Sequence, residues 1–348
     1  YKNVSEKSAD VCARVHIRNN TDANSENAVL QVNLKDRQGN LVAKAEKQFT
    51  VLSNSAKTVE LTLNVVNPRL WQPDSPELYN IFFIVKTAGG KSGKDLTVVD
   101  GFRKRIGIRV LESKGAKGLY LNGKPLKDKL IGANRHQDFA LIGNALPNSM
   151  HWRDVYKLRS CGMRIIRSAH YPQDPAFMDA ADELGMFVIV ATPGWQFYNR
   201  NPIFSNRVYS DVKNMIRRDR NHPSVIMWEP ILNETRYPAS FARRVTKICH
   251  EEYPFKGCLT AADNNHYGPR YFDIVYTHPL SGKADPKSLA KKYNFRQAAF
   301  TREWGDNVDD WNSQNSTSRS RRAWGELPMI IQSLHYAWGP NRIWDFED

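Results

Sequence analysis

Short apolar runs alternate with longer helical patterns between residues 130 and 301, and this alternation constrains the fold more than any other feature. The apolar runs predict buried strands at 130–134, 163–168, 186–191, 225–228, 258–262, 274–277 and 298–301. Helices are predicted between them at 151–160, 175–184, 207–218 and 240–252. Strands and helices that alternate in this way form a parallel sheet, and seven such units in about 180 residues favour a closed (β/α)8 TIM barrel over an open sheet.

The last part of the sequence offers little material for completing such a barrel. A final helix is predicted at about 321–338, and residues 341–348 are too few for a convincing eighth strand. We therefore expect a barrel that is truncated before its eighth strand and so is C-terminally incomplete.

The first 110 residues show strand patterns throughout. Polar and apolar residues alternate at 11–17, 28–34, 57–65 and 78–85, and turn-forming residues separate these segments. Short strands at this spacing predict an antiparallel, immunoglobulin-like β-sandwich of about 100 residues. The sequence thus predicts two domains, a sandwich at 1–110 and a barrel at 111–348.

A segment bracketed by Pro68 and Pro73 interrupts the sandwich pattern, and its prolines exclude it from the middle of a sheet. Trp71 lies within it. A tryptophan ring in such a segment can serve as a platform for a sugar, but it more commonly packs a loop onto a core. We expect the packing role for Trp71.

The composition is that of an ordinary soluble globular protein, with 41% hydrophobic and 25% charged residues. No apolar run approaches the roughly 20 residues of a membrane span. The net charge of +14 comes from scattered basic clusters without a nucleic-acid-binding motif, so nucleic acid is not an expected partner. Solvated basic faces are the simplest explanation of the charge, and an anionic glycan is the alternative. The four cysteines lack the spacing of a metal site.

Glutamates follow two of the predicted strands. The strand at 225–228 leads to Asn233-Glu234, and the strand at 298–301 leads to Glu303-Trp304. In a β/α barrel the carboxyl ends of the strands surround a shared pocket. Two carboxyl groups in one pocket are what hydrolysis of a glycosidic bond requires, one as an acid and one to meet the oxocarbenium-like centre. Structural carboxylates and ion-pair partners are the common alternative.

Other side chains near strand ends favour the catalytic interpretation. Asn233 offers an amide for a sugar hydroxyl, and His136 and His170 each lie just beyond a predicted strand. A single histidine in such a place usually has a structural hydrogen bond, but two beside two glutamates favour a polar pocket. Apolar faces for stacking on sugar rings are expected from four tryptophans, Trp195, Trp228, Trp304 and Trp338.

Five segments together resemble glycoside hydrolase family 2, which includes β-galactosidases, β-glucuronidases and β-mannosidases. The segments are residues 102–109, Asn134-Arg135-His136, Ser168-Ala169-His170-Tyr171-Pro172, Asn233-Glu234 and Glu303-Trp304-Gly305. The segments occur in the family's order, and the resemblance extends over nearly the whole chain. The resemblance implies the immunoglobulin-like domain of that family followed by most of its catalytic barrel.

The resemblance also implies a role for each matching residue. Glu234 would be the general acid/base, and Glu303 the nucleophile of a mechanism that retains anomeric configuration. Asn233 would bind the sugar 2-hydroxyl, and Arg167 would orient the nucleophile. His136 and His170 correspond to two sugar-contacting histidines, and Tyr276 is the candidate for a tyrosine from the sixth strand that accompanies the nucleophile.

Two features bear on the sugar and on metals. Arg135 in Asn134-Arg135-His136 favours a galactosidase, because the glucuronidases usually have lysine there, and their late Asn-x-Lys motif does not follow Glu303 in this chain. Residues 192–195 lack the acidic and histidine ligands of magnesium-dependent galactosidases. We therefore expect no catalytic metal and no cofactor.

The sequence thus predicts a retaining, exo-acting hydrolase that removes terminal β-linked sugar, most simply β-galactoside, from oligo- or polysaccharides. A β-glucuronidase, a relative specific for sulfated galactan and a non-catalytic glycan-binding homologue are the alternatives. The expected partner is a carbohydrate substrate. A periplasmic or secreted location is expected from the enzyme class alone, and the oligomeric state is left open.

Overall fold

The computed structural model describes residues 1–89, 95–126, 130–139, 141–263, 267–277 and 297–302. Within these ranges an antiparallel β-sandwich is followed by a small hairpin and then by a parallel sheet with helices packed against it. The predicted helix at 321–338 and the question of an eighth strand lie outside the described residues.

Six long strands form the sandwich. One sheet pairs β1 (Ser8–Arg18) with β4 (Ala56–Val66), and the other has the order β3 (Leu41–Val51), β2 (Ser25–Lys35), β5 (Tyr79–Gly89), β6 (Asp95–Ile106). Alternate side chains from both sheets, among them Val11, Leu30 and Leu63, are buried between them. The four predicted strands are confirmed. The sequence pattern did not single out β3 and β6, because edge strands with mostly exposed side chains lack a continuous apolar face.

A three-stranded hairpin unit connects the sandwich to the barrel. It consists of β7 (Leu111–Ser113), β8 (Leu119–Leu121) and β9 (Lys124–Pro125). Asn122 and Gly123 form the tight turn between β8 and β9, with φ of 51° and 80°. Two successive residues with positive φ are what a type I′ turn requires, and Asn-Gly is its preferred pair.

Seven parallel strands follow within the described residues. They are β10 (Gly132–Arg135), β11 (Ile165–Ser168), β12 (Phe187–Ala191), β13 (Val225–Glu229), β14 (Ala261–Asp263), β15 (Ile274–Thr277) and β16 (Ala298–Thr301). Each pairs with its neighbour in chain order; β13 meets β14 through a parallel bridge between Trp228 and Thr260. All seven predicted strands are therefore present, in the order that a TIM barrel requires.

Helices lie between these strands as predicted: α1 (Asn148–Ser160), α2 (Pro175–Leu184), α3 (Pro202–Asp219) and α4 (Ala239–Glu252), with a short α5 (Gly268–Tyr271). The side chain of Asp174 caps α2 by accepting a hydrogen bond of 2.7 Å from the backbone N–H of Ala176. Asn201 caps α3 in the same way. The Asn201 cap explains why α3 begins five residues before its predicted start. The prediction followed the apolar pattern, which becomes regular only after the first turn of the helix.

The parallel sheet buries side chains on both faces. Ile165, Ile189 and Met227 point into the barrel, whereas Ile166, Val190 and Trp228 pack against the helices. The prediction that Trp228 stacks on sugar is therefore wrong. Its ring is 2% exposed and faces away from the barrel interior, because side chains alternate along a strand and Met227 and Glu229 hold the inward positions.

Trp71 joins the sandwich to the barrel. Its ring is fully buried, lies edge-on to Phe187 at 5.8 Å and donates a hydrogen bond of 2.9 Å from Nε1 to the carbonyl oxygen of Asp182. The guanidinium of Arg109 donates to the carbonyl oxygens of Pro223 and Val225 nearby. The packing role predicted for Trp71 is confirmed. Because these contacts reach the starts of β12 and β13, the sandwich lies at the amino-terminal end of the barrel.

The backbone approaches closely at the same junction. A Cβ atom added to Gly185 would lie 1.9 Å from the carbonyl oxygen of Pro73, and Gly185 has φ of 74°. Glycine both ends α2 in the left-handed conformation and leaves room for the sandwich. Across the described part of the chain, each helix is either too short or too polar to cross a bilayer.

Candidate active site

Polar side chains meet at the carboxyl ends of the parallel strands, the end opposite the sandwich. Asn134 lies near the end of β10, Arg167 near the end of β11 and Tyr276 near the end of β15, and Glu229 is the last residue of β13. Hydrogen bonds connect Glu229 with Arg167 and Tyr276, and Arg167 with Asn134. This convergence is the barrel geometry that the sequence predicted for catalytic groups.

A buried ion pair lies at the floor of this region. Arg167 donates to both carboxylate oxygens of Glu229, with 2.6 Å between Nε and Oε2, and the two side chains are 2% and 0% exposed. Tyr276 donates from its hydroxyl to Oε2 at 3.1 Å. Burial and then the charge of Glu229 raise the pKa of Tyr276 well above its ordinary value, so the hydroxyl keeps its proton and remains a donor.

Asn233 is held by two arginines. Its Oδ1 accepts 2.9 Å hydrogen bonds from Arg167 Nη2 and from Arg302 Nη1, and Asp263 in turn binds Arg302 at 2.8 Å. Guanidinium groups only donate, so the atom facing them has to be the amide oxygen. The orientation of the amide is thereby fixed, and its Nδ2 hydrogens are directed away from both arginines.

Glu234 differs from Glu229 in exposure and in partner. It is exposed, has φ of 50° and accepts a 2.7 Å hydrogen bond at Oε2 from Gln196 Nε2. Two backbone hydrogen bonds join the loop that carries Gln196 to the loop that carries Glu234. The backbone N–H of Gln196 donates to the backbone carbonyl oxygen of Asn233 at 2.9 Å, and the backbone N–H of Asn233 donates to the carbonyl oxygen of Gly194 at 3.0 Å. The carboxylate is thus held at the surface of the pocket by a neutral neighbour.

Three predicted sugar-contacting residues form an aromatic row. The rings of His136 and His170 are 5.6 Å apart and perpendicular, and the ring of Trp195 lies 5.5 Å beyond His170. Trp195 is 55% exposed, so its face is accessible. A parallel bridge between Trp195 and Asn233 places this row beside the loop that carries Glu234.

Comparison with known proteins agrees with this architecture. Residues 1–109 match the sequence model "Glycosyl hydrolases family 2", and residues 113–252 match "Glycosyl hydrolases family 2, TIM barrel domain". Together the two matches span most of the chain. The chain belongs to glycoside hydrolase family 2.

Relatives within family 2 carry two kinds of name. A β-galactosidase from Thermoanaerobacter pseudethanolicus is 34% identical over 203 residues, which are 58% of this chain and 26% of that protein. A β-glucuronidase from Bacteroides fragilis is 30% identical over 275 residues, 75% of this chain and 38% of that protein. The crystal structure of a Bacteroides uniformis β-glucuronidase superposes with a TM-score of 0.75 at 25% identity, covering 88% of this chain and 40% of that one. The chain therefore spans well under half the length of these relatives.

The side chain of Arg135, on which the predicted preference for galactose partly depends, faces away from the pocket. Arg135 is 7% exposed, pairs with Asp154 of α1 at 2.7 Å and lies over the ring of Phe177 at 4.6 Å. Strand alternation is again the reason, because Asn134 takes the inward position. The prediction of a galactosidase from Arg135 is therefore not supported by a contact between this side chain and the pocket.

Some predicted site residues lie outside the described residues, namely Glu303, Trp304 and Trp338. Conversely, sequence reasoning missed Glu229, Gln196, Arg302 and Asp263. A signal was present for Glu229, because it is the last residue of an apolar strand and two positions from the inward-facing Met227. No comparable signal marked Gln196, whose contact with Glu234 depends on how two loops meet.

Among the described residues, Asp179, Asp182 and His222 form the group of acidic and histidine side chains close enough to share a cation. They lie at the junction with the sandwich, away from the strand ends. Asp179 pairs with Arg105 at 3.0 Å, and His222 Nδ1 lies 2.6 Å from Asp182 Oδ2. Burial lowers the pKa of His222, but the charge and hydrogen bond of Asp182, together with the charges of Asp219 and Asp179, raise it overall. Two ion pairs account for the cluster, one between the domains (Asp179 with Arg105) and one within the barrel (Asp182 with His222).

Proposed function

We propose that this chain carries the acid/base part of the active site of a retaining, exo-acting hydrolase that removes terminal β-galactosyl residues from oligo- or polysaccharides. One observation carries the proposal: at the carboxyl end of a barrel strand, the oriented amide of Asn233 stands directly beside the exposed carboxylate of Glu234. Family 2 membership supports the same reaction class. The activity of the whole protein is part of the proposal.

In the proposed double displacement, a carboxylate oxygen of Glu303 bonds to the anomeric carbon as the bond to the leaving oxygen breaks. Glu234 gives its proton to that oxygen. Glu234 then takes a proton from water, whose oxygen displaces Glu303 and releases the sugar with retained configuration. Asn233 Nδ2 donates to the 2-hydroxyl oxygen, because Oδ1 is already bound by two arginines.

The remaining residues of the pocket are proposed to contact the sugar. His136 and His170 offer ring nitrogens to sugar hydroxyls, and Trp195 offers the apolar face on which a pyranose ring stacks. The neutral amide of Gln196 suits a residue that alternates between two protonation states, since an amide can donate to the carboxylate of Glu234 and, after rotation, accept from its acid form.

A charged substitution at Gln196 tests this partnership. Gln196→Lys should move the basic limb of the pH profile of kcat/KM to lower pH, because an ammonium group stabilises the ionised form of Glu234 and the enzyme loses its acid sooner as pH rises. Gln38→Lys adds the same charge on the exposed surface of the sandwich and should leave the limb in place. An unmoved limb in Gln196→Lys would show that Gln196 and Glu234 do not interact in the active enzyme.

Turnover of a panel of nitrophenyl β-glycosides by the full-length protein tests the proposed substrate. The value of kcat/KM for the β-galactoside should exceed that for the β-glucuronide by about 10²-fold or more, since a pocket specific for galactose would leave the charge of a uronic carboxylate unpaired. NMR should show the β-anomer of galactose as the first product. First release of the α-anomer would exclude a retaining mechanism, and binding without turnover of any glycoside would support a glycan-binding homologue.

A β-glucuronidase is the second candidate. It is favoured by the name of the Bacteroides fragilis relative and by the outward-facing side chain of Arg135, which removes one argument for galactose. The acid/base chemistry would be the same. A preference of the panel for the glucuronide would assign this substrate.

A further inference from the structure

Glu229 is a third carboxylate at the carboxyl end of β13, five positions before Glu234 on the same segment. It is fully buried, and so it is unsuited to direct proton exchange with a solvent-exposed leaving group. It accepts two hydrogen bonds from Arg167 on β11 and one from Tyr276 on β15. One carboxylate thus connects the second, fourth and sixth strands of the barrel.

We propose that Glu229 is a positioning residue of the active site, which fixes the guanidinium of Arg167 and the hydroxyl of Tyr276 and, through Arg167, the amide of Asn233. The proposal rests on the function proposed above. Its first support is the direction of the contacts: Arg167 donates from Nε and Nη2 to Glu229 and from the same Nη2 to Asn233. The contact with Glu229 fixes the guanidinium plane of Arg167. Because Nη2 lies in that plane, the same contact also sets the position of its hydrogen bond to Asn233.

The second support is energetic. A buried ion pair contributes little net stability compared with apolar residues of the same volume, because desolvation offsets the attraction. An arginine and a glutamate at the centre of a barrel are therefore poorly explained by stability alone. The pair instead fixes orientation, because a bidentate contact holds the guanidinium plane and the carboxylate plane in one relative position.

The third support is charge balance around Asn233. Arg167 is paired with Glu229, and Arg302 is paired with Asp263, so each guanidinium that reaches Asn233 Oδ1 has its own carboxylate. Replacing Glu229 by a neutral residue would make the net charge around the Arg167 guanidinium more positive by one. In the proposed mechanism, this added positive charge would favour the ionised form of the nucleophilic carboxylate and reduce its tendency to share electrons with the anomeric carbon.

The test compares Glu229→Gln, Glu229→Asp and the unaltered full-length protein on its best aryl glycoside. Glutamine keeps the shape but replaces one acceptor oxygen with a donor, so it loses the bidentate contact with Arg167. We expect kcat to fall by about 10²-fold with KM nearly unchanged, since a misplaced catalytic group affects the transition state more than the bound sugar. The acid limb of the pH profile should move to lower pH in Glu229→Gln, and Glu229→Asp should restore the limb and part of kcat.

Asp182→Asn is the matched control, because Asp182 is also a buried, ion-paired carboxylate but lies at the sandwich junction. It should lower the melting temperature and leave kcat and the pH profile unchanged. If Glu229→Gln behaves like this control, with stability reduced and both kinetic readouts unmoved, Glu229 is only structural and the proposal is overturned.

A crystal structure of Glu229→Gln separates this proposal from the proposed function. If the unaltered protein cleaves no glycoside, the proposed function fails, and the crystal structure alone decides the role of Glu229. Displacement of the Arg167 guanidinium from Asn233 supports positioning by Glu229. An Arg167 that keeps its hydrogen bond to Asn233 in the variant overturns it.

Discussion

Replacement of Glu234 by glutamine should lower kcat for a glycoside with a poor leaving group, such as an alkyl β-galactoside, by about 10²–10⁴-fold. The amide of glutamine has no proton acidic enough to give to the departing alkoxide. An aryl glycoside with a strongly acidic phenol needs no such help, so its first step should survive. The second step still lacks a base, and a burst of phenol followed by slow turnover is expected in stopped-flow measurements.

Glu303→Gln should behave differently and thereby separate the two roles. Without a nucleophile no glycosyl-enzyme forms, so the burst should be absent for every leaving group. Glu60→Gln, which removes an exposed carboxylate of the sandwich, serves as the control and should match the unaltered protein. A Glu234→Gln protein that cleaves alkyl and activated aryl glycosides equally well would rule out Glu234 as the acid.

Replacement of Trp71 by alanine should reduce the free energy of unfolding by about 3–5 kcal/mol, the usual cost of removing a large aromatic ring from a core. The ring is fully buried between the sandwich and the barrel. Its loss also leaves the carbonyl oxygen of Asp182 without the indole N–H. Urea unfolding followed by circular dichroism measures the change.

Trp195→Ala provides the matched control for this stability prediction. The Trp195 ring is 55% exposed, so its removal should change the free energy of unfolding by less than about 0.5 kcal/mol. Its effect should fall on KM, because the proposed function assigns sugar stacking to its exposed face. Equal unfolding midpoints for Trp71→Ala and the unaltered protein would contradict the assigned packing role of Trp71.

Much of the fold follows from local sequence. The period of apolar residues identified every strand and long helix of the described barrel, because strands buried on both faces leave uninterrupted apolar runs. Edge strands β3 and β6 were harder to recognise, since their exposed faces carry lysine, glutamate and arginine. The start of α3 was placed too late because the capping pair Asn201-Pro202 was overlooked in favour of the apolar pattern.

The site was less predictable, and strand alternation shows why. Trp228 was assigned to the pocket, and Arg135 was used to predict the sugar preference, although each is one residue from an inward-facing position. A shift of one residue along a strand reverses the face, and sequence alone does not give the register against its neighbours. Glu229, Gln196 and Arg302 were missed for a related reason: their roles arise from contacts between strands and loops that are 38 to 69 residues apart in the chain.

The backbone hydrogen bonds that join residues 194–196 to Asn233 have a consequence for engineering new specificity. The loop that carries Trp195 and the loop that carries Glu234 share two backbone hydrogen bonds, so neither is an independent module. Exchanging the loop after β12 for that of a relative would also move Glu234, the proposed acid. A successful graft would therefore have to transplant both loops together, as one cassette from a single donor.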